Sequence, residues 1–127
     1  NSTDGKVVVT ATTIELSGKT DFNDNAITGY GADLQTLSGT SKTLAAVDNG
    51  TVIICSSGSA TTITVPIGLP AGFNCMIVQT GAGQVTLSPS STTLNNRNGL
   101  KTAAQYAMMT LVNYTTNTFV VSGDTVN

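Results

Sequence analysis

From Thr43 onward the chain alternates apolar and polar positions in short runs, separated by clusters of Gly, Asn, Asp, Ser and Pro, and that period of two predicts strands. In Thr61-Thr62-Ile63-Thr64-Val65 the apolar Ile63 and Val65 alternate with Thr, as in a half-buried strand. Residues 43–47, 51–55, 73–79, 84–88, 92–95 and 118–122 read the same way. Asp48-Asn49-Gly50 predicts a tight hairpin between the first two of these runs, because Asn-Gly supplies the positive φ angles such a turn needs. Thr80-Gly81-Ala82-Gly83 predicts a second hairpin, between 73–79 and 84–88, whose loop bends through glycine. Pro66 to Gly72 reads as a crossing loop, since proline removes ladder donors. In Ala103 to Tyr114 the alanines and Met108-Met109 suit a helical turn, while Thr110 to Tyr114 suits a strand; the flanking β-pattern decides for strand. Thr115-Thr116-Asn117 turns the chain into the last run. About eight strands are expected over 43–127, and the fold class is all-β: a small antiparallel β-sandwich or jelly-roll-like barrel with an extended N-terminal arm. The expected core is Ile53, Ile63, Val65, Phe73, Ile77, Val85, Leu87, Leu111 and Val120.

Residues 1–42 have a different texture. Short β-prone pieces (Lys6 to Thr10, Thr13 to Leu16, Ala26 to Thr28) are punctuated by Gly5, Gly18, Gly29, Gly31 and Gly39. Phe22, Ile27, Tyr30, Leu34 and Leu37 are spaced too irregularly for a self-contained core, and so short a stretch buries too little apolar area to hold itself together. The expected organisation is therefore an extended arm or stalk-joining segment over 1–42 and a β-sandwich domain over 43–127.

Composition sharpens this picture. Of 127 residues only 9% are charged, against roughly a quarter in an ordinary soluble domain. The chain has no His and no Trp, and its net charge is −2. Lys6, Lys19, Lys42, Arg97 and Lys101 are scattered singly, so the basic face needed for nucleic-acid binding is missing and no nucleic acid is expected as partner. No apolar run approaches the roughly 18 residues of a membrane helix, so no membrane is expected either. The chain begins at Asn1, which favours a fragment of a longer protein. Cys55 and Cys75 each lie within an apolar run and read as two buried thiols; a bridge between neighbouring strands stays open where their Cα atoms fall within roughly 7 Å.

The motifs that could carry chemistry fall short. Asp21-Phe22-Asn23-Asp24-Asn25 opens like a calcium loop, but Ala26 stands where such a loop needs Gly and Ala32 where it needs Glu. Gly81-Ala82-Gly83 is followed by a strand rather than the helix N-terminus that would hold a phosphate. Without His a serine nucleophile would need Lys, and no Ser-x-x-Lys spacing occurs. Glu15 is the only Glu, and Asp4, Asp21, Asp24, Asp33, Asp48 and Asp124 sit beside turn residues, where aspartate caps its own backbone. No catalytic residue, no cofactor site and no metal site is expected, and the chain reads as no enzyme. Tyr30, Tyr106 and Tyr114 are available to stack on a sugar, with Pro66 to Gly72 or Asn95 to Gly99 as contact loops. Asn1, Asn49 and Asn113 head glycosylation sequons of a kind that Asn/Thr-rich sequences produce by chance.

The order of elements from Thr43 to Asp124 resembles a domain that recurs in structural proteins of tailed bacteriophages. The stretches that carry the resemblance are Thr43-Leu44-Ala45-Ala46-Val47-Asp48-Asn49-Gly50, Thr62-Ile63-Thr64-Val65-Pro66, Pro70-Ala71-Gly72-Phe73, Val78-Gln79-Thr80-Gly81-Ala82-Gly83-Gln84-Val85-Thr86 and Thr118-Phe119-Val120-Val121-Ser122-Gly123-Asp124. Asn25-Ala26-Ile27-Thr28-Gly29 resembles the repetitive β-segments that lead into phage fibre domains. The resemblance implies a non-enzymatic virion protein, a homotrimer displayed on a tail or head fibre or set on the capsid as a decoration protein. Its partners would be copies of itself, other virion components and a host-surface glycan, and its assembly would take place in the host bacterial cytoplasm. A carbohydrate-binding or adhesin module is the competing reading.

Overall fold

The computed structural model describes residues 8–18, 20, 23 and 31–127. The chain divides into two units, Asn1–Tyr30 and Gly31–Asn127. In the first, the described residues are all exposed and none is in a strand, including 8–10 and 13–16 of the β-prone pieces; 26–28 lie outside the described residues. The expected boundary at 42/43 falls inside a strand of the second unit.

The second unit is all-β, with two sheets. Strands β1 (Asp33–Leu37), β3 (Thr51–Cys55) and β5 (Asn74–Gln79) lie side by side in one sheet, and β2 (Ser41–Thr43), β4 (Thr61–Pro66) and β6 (Val85–Ser90) in the other. Every neighbouring pair in these two sets is parallel. The chain thus winds from sheet to sheet three times, a β-solenoid, and the antiparallel sandwich or jelly-roll-like barrel expected from the sequence is corrected. Both expected hairpins are corrected with it. Around Asp48-Asn49-Gly50 the chain forms a short 3-10 turn over Ala46–Asp48, β2 ends at Thr43, and β3 pairs with β1 and β5. Thr80 to Gln84 is an arc that carries the chain from β5 in one sheet to β6 in the other.

The arcs of successive coils stack. Gly81 N–H donates to Cys55 O at 3.0 Å and Gly83 N–H to Ser57 O at 3.1 Å, so the arc at 80–84 rests on the one at 56–60. A Cβ on Gly81 or Gly83 would overlap the backbone oxygen of Ser57 or Ser59. Glycine is required there by close approach of backbone to backbone.

After three coils the pairing turns mostly antiparallel. Strands β9 (Met108–Thr115) and β10 (Thr118–Gly123) form the hairpin expected at 115–117, with Asn117 at φ 51°, and β9 pairs antiparallel to β5. Strand β7 (Thr93–Asn96) lies parallel to β10, while β8 (Lys101–Thr102) and β11 (Thr125–Val126) close the second sheet antiparallel. The resulting sheets have the orders β1-β3-β5-β9-β10-β7 and β11-β8-β6-β4-β2.

The core lies between the sheets, filled by inward positions of both: Ile53, Ile63, Val65, Phe73, Ile77, Val85, Leu87 and Leu111 are all buried, as expected. Burying each such side chain contributes roughly 1.5–3 kcal/mol. Val120 is the exception at 44% exposed; its neighbours Phe119 and Val121 point inward instead. The register shifts between Thr118 and Phe119, an irregularity that sets the parity of β10.

Candidate binding surface

A cleft of about 520 Å3 lies between the loop after β4 and the β9–β10 hairpin. Both walls are held by asparagine side chains that replace missing backbone partners. Gly68 N–H donates to Asn117 Oδ1 at 3.0 Å and Gly72 N–H to Asn113 Oδ1 at 3.3 Å. Asn113 is buried, and its Nδ2 donates to Thr115 O and Thr118 O, which fixes the hairpin from within. Tyr114 stands 57% exposed at the cleft, and Asn95 Nδ2 donates to its hydroxyl at 2.8 Å. The lining comprises apolar, amide and hydroxyl groups without a charged side chain. Such a surface can stack a ring on Tyr114 and exchange neutral hydrogen bonds.

A second cleft of about 220 Å3 is lined by Asn95, Asn96, Arg97 and residues 120–122. The contact loops expected at Pro66 to Gly72 and at Asn95 to Gly99 therefore each contribute to a cleft, and Asn95 links them through Tyr114. Tyr106 is 74% exposed, at φ 70° in the turn before β9, and lines neither cleft. Tyr30 lies outside the described residues, as does Asn1. So does the acidic stretch Asp21 to Asn25 except Asn23, at φ 50°. Among the described residues no group of three or more His, Cys, Asp and Glu could hold a metal ion, and no helix is long and apolar enough to cross a membrane.

Three polar features inside the domain were not legible from spacing. Asp48 is fully buried; its Oδ1 pairs with Lys42 Nζ at 3.0 Å, and its Oδ2 accepts from Ala45 N–H at 2.8 Å. Gln79 is buried at the end of β5, where Oε1 accepts from the Thr102 hydroxyl and Nε2 donates to Gly81 O at 3.1 Å. Thr102 Oγ1 in turn accepts from Val85 N–H at 2.9 Å, tying β5, β6 and β8 together. Asp48 does cap its own turn, as its setting suggests, and it also pairs with Lys42 of the preceding strand β2.

Cys55 and Cys75 are free and buried, as expected. Burial pushes the Cys55 thiol from 9.0 up to about 11. Cys75 rises to about 12, chiefly through burial, with the Asp48 carboxylate adding to the rise and Lys42 opposing it. Both are protonated near neutral pH and unsuited to nucleophilic work. Of the sequons, Asn49 Oδ1 accepts from Asn74 N–H, and Asn113 spends its amide inside the hairpin.

Compared with known proteins, the chain matches no family model and no curated protein sequence.

Proposed function

We propose that this chain is a non-enzymatic structural protein of a tailed-phage virion, present as a homotrimer on a fibre or as a decoration protein on the capsid surface. The observation that carries the reading is where the phage-like stretches fall in the fold. Thr62 to Pro66 is the second coil's strand β4, Val78 to Thr86 is the arc joining the third coil's strands, and Thr118 to Asp124 is the closing strand β10 with its exit. Thr43 to Gly50 spans the end of β2 and the 3-10 turn after it, and Pro70 to Phe73 is the loop before β5, so the resemblance runs in chain order through both strands and turns. Two free buried thiols accord with assembly in a reducing bacterial cytoplasm. The test is location. Antibodies raised against the protein should decorate intact particles of the phage that encodes it, at the tail, a fibre or the head; particles that stay bare, with the protein recovered only outside them, would refute the reading.

The uncharged cleft beside Tyr114 favours one second reading, a carbohydrate-binding or adhesin module, in which the ring stacks on a sugar. A glycan array separates the two. Binding that Tyr114→Ala abolishes would support the adhesin, and an array without signal would remove it.

A further inference from the structure

Arg97 is the chain's single arginine, and it lines two adjoining clefts in the loop between β7 and β8. The cleft of about 220 Å3 extends from it towards Asn95 and Val120, and another of about 250 Å3 towards Asn98 and Thr125; both also include Val121 and Ser122. Together they reach the roughly 300–1,000 Å3 of a small-ligand site. Arg97 is exposed, and its guanidinium has no ion-pair or hydrogen-bond partner among the described residues. Asp124, which adjoins the second cleft in sequence, lines neither cleft and forms no ion pair with it.

The loop that carries this charge is held from both ends. Asn96 Nδ2 donates to Leu94 O at 3.1 Å, and its Oδ1 accepts from Gly99 N–H at 2.9 Å, closing the turn around Arg97 and Asn98. Gly99, at φ 121°, lies so close to β11 that a Cβ would overlap Val126 O. A loop fixed in this way loses little further freedom when a ligand binds. Asn95 then connects the groove to the cleft at the β9–β10 hairpin, since its Nδ2 donates to the hydroxyl of Tyr114, which lines that cleft.

The chemistry of these groups selects the occupant. A guanidinium takes a carboxylate through two parallel N–H···O bonds, and one positive charge matches one negative charge. A phosphate dianion or a polyanion calls for further cations, and Lys101, the next cation along the chain, lines neither cleft. The amides and hydroxyls between Arg97 and Tyr114 suit a ligand rich in hydroxyl groups, and the Tyr114 ring suits a stacked sugar.

We propose that the groove at Arg97 binds the carboxylate of an acidic sugar, a uronic or sialic acid unit, within a glycan whose neighbouring unit stacks on Tyr114. This rests on the carbohydrate-binding reading and names its ligand class. The experiment uses the full chain. An array of uronic, sialylated, sulfated, phosphorylated and neutral glycans selects the strongest binder; if it carries a carboxylate, it is titrated beside its methyl ester, which keeps the shape and removes the charge. Labelling with phenylglyoxal, read at Arg97 by peptide mass, reports on that one guanidinium because the chain has no other. The variants are Arg97→Gln, Arg97→Lys and Tyr114→Ala.

The acid should bind about tenfold to a hundredfold more tightly than its ester, the worth of a charge-assisted pair. Arg97→Gln should remove that preference and leave ester binding unchanged, Arg97→Lys should keep part of it, and Tyr114→Ala should weaken acid and ester alike. The acid, and not the ester, should slow labelling of Arg97. Acid and ester binding equally would overturn the proposal and leave the carbohydrate reading standing, as would a preference that survives Arg97→Gln or a strongest binder that is sulfated, phosphorylated or neutral. An array without signal would remove both. Arg97 that resists phenylglyoxal in the free protein would mean that the chain itself covers the guanidinium, and an acidic peptide that protects Arg97 as well as the sugar does would assign the groove to another ligand; either overturns the proposal. If Arg97→Gln fails to fold, labelling of the parent decides alone: protection by the acid only supports the site, and equal protection by acid and ester, or none, refutes it.

Discussion

Replacing Gly83 by Ala tests the stacked-arc geometry most directly. The added Cβ would overlap Ser59 O in the arc beneath, which is backbone and has no rotamer by which to yield. Relieving the overlap separates the arcs by about an ångström, a large shift in a close-packed region. That breaks the bond from Gly83 N–H to Ser57 O and strains the one from Thr61 N–H to Gln84 O, 3.1 and 2.9 Å long. Losing two backbone bonds at about 1 kcal/mol each, with one donor left unsatisfied at a buried position, costs roughly 3 kcal/mol. The comparison is Gly58→Ala in the lower arc, where a Cβ meets nothing within 4 Å; there a smaller unfolded-state entropy stabilises the fold by up to about 1 kcal/mol. Urea and thermal unfolding followed by circular dichroism give both values, and Gly83→Ala should lower Tm by about 10 °C or more relative to Gly58→Ala. In a hairpin both loops would face solvent and the two variants would behave alike. Stabilities within about 0.5 kcal/mol of each other would therefore refute the stacked arcs.

Two further predictions concern the core. Leu111→Ala should cost roughly 2–5 kcal/mol, and Val121→Ala should be clearly more destabilising than Val120→Ala; equal losses for the two valines would place the parity of β10 wrongly. The thiols make stability depend on alkaline pH. Their folded pKa values are raised from 9.0 to about 11 and about 12, so the folded chain keeps protons that the unfolded chain has lost. Their contribution is complete below about pH 9 and declines as pH rises towards 12, by a few kcal/mol in total. The urea midpoint should fall across that window, and fall less in the Cys55→Ala/Cys75→Ala variant; identical pH profiles for the two proteins would refute the assignment.

Much of the local structure was legible. Ile63, Val65, Phe73, Ile77 and Leu111 point inward because alternation with period two places them on one face whatever that face pairs with. The hairpin at 115–117 and the buried thiols followed from turn chemistry and apolar flanks. Strand β2 was hidden by its brevity, and β1 by the irregular spacing of Leu34 and Leu37, since neither carries enough alternation to stand out. One signal was present and unread. Coil two aligns with coil three at an offset of 24 residues in both sheets, Thr51 opposite Cys75 and Thr61 opposite Val85, and the pairs Ile53/Ile77, Thr62/Thr86 and Ile63/Leu87 keep that spacing. Repeats of this length mark solenoids.

By itself, then, the sequence determined that the second unit is built of short strands, which residues of most strands face inward, and where the chain must turn. It could not determine what each strand pairs with, because alternation is the same in a parallel coil and in an antiparallel hairpin. A five-residue loop can return the chain beside itself or carry it across to the opposite sheet. That choice is made by contacts distant in sequence: Gly83 against Ser57, and Gln79 hydrogen-bonded to Thr102. The parity of β10 is decided the same way. Phe119, Val120 and Val121 are all apolar, and only the irregular register against β9 turns Val120 to the outer face.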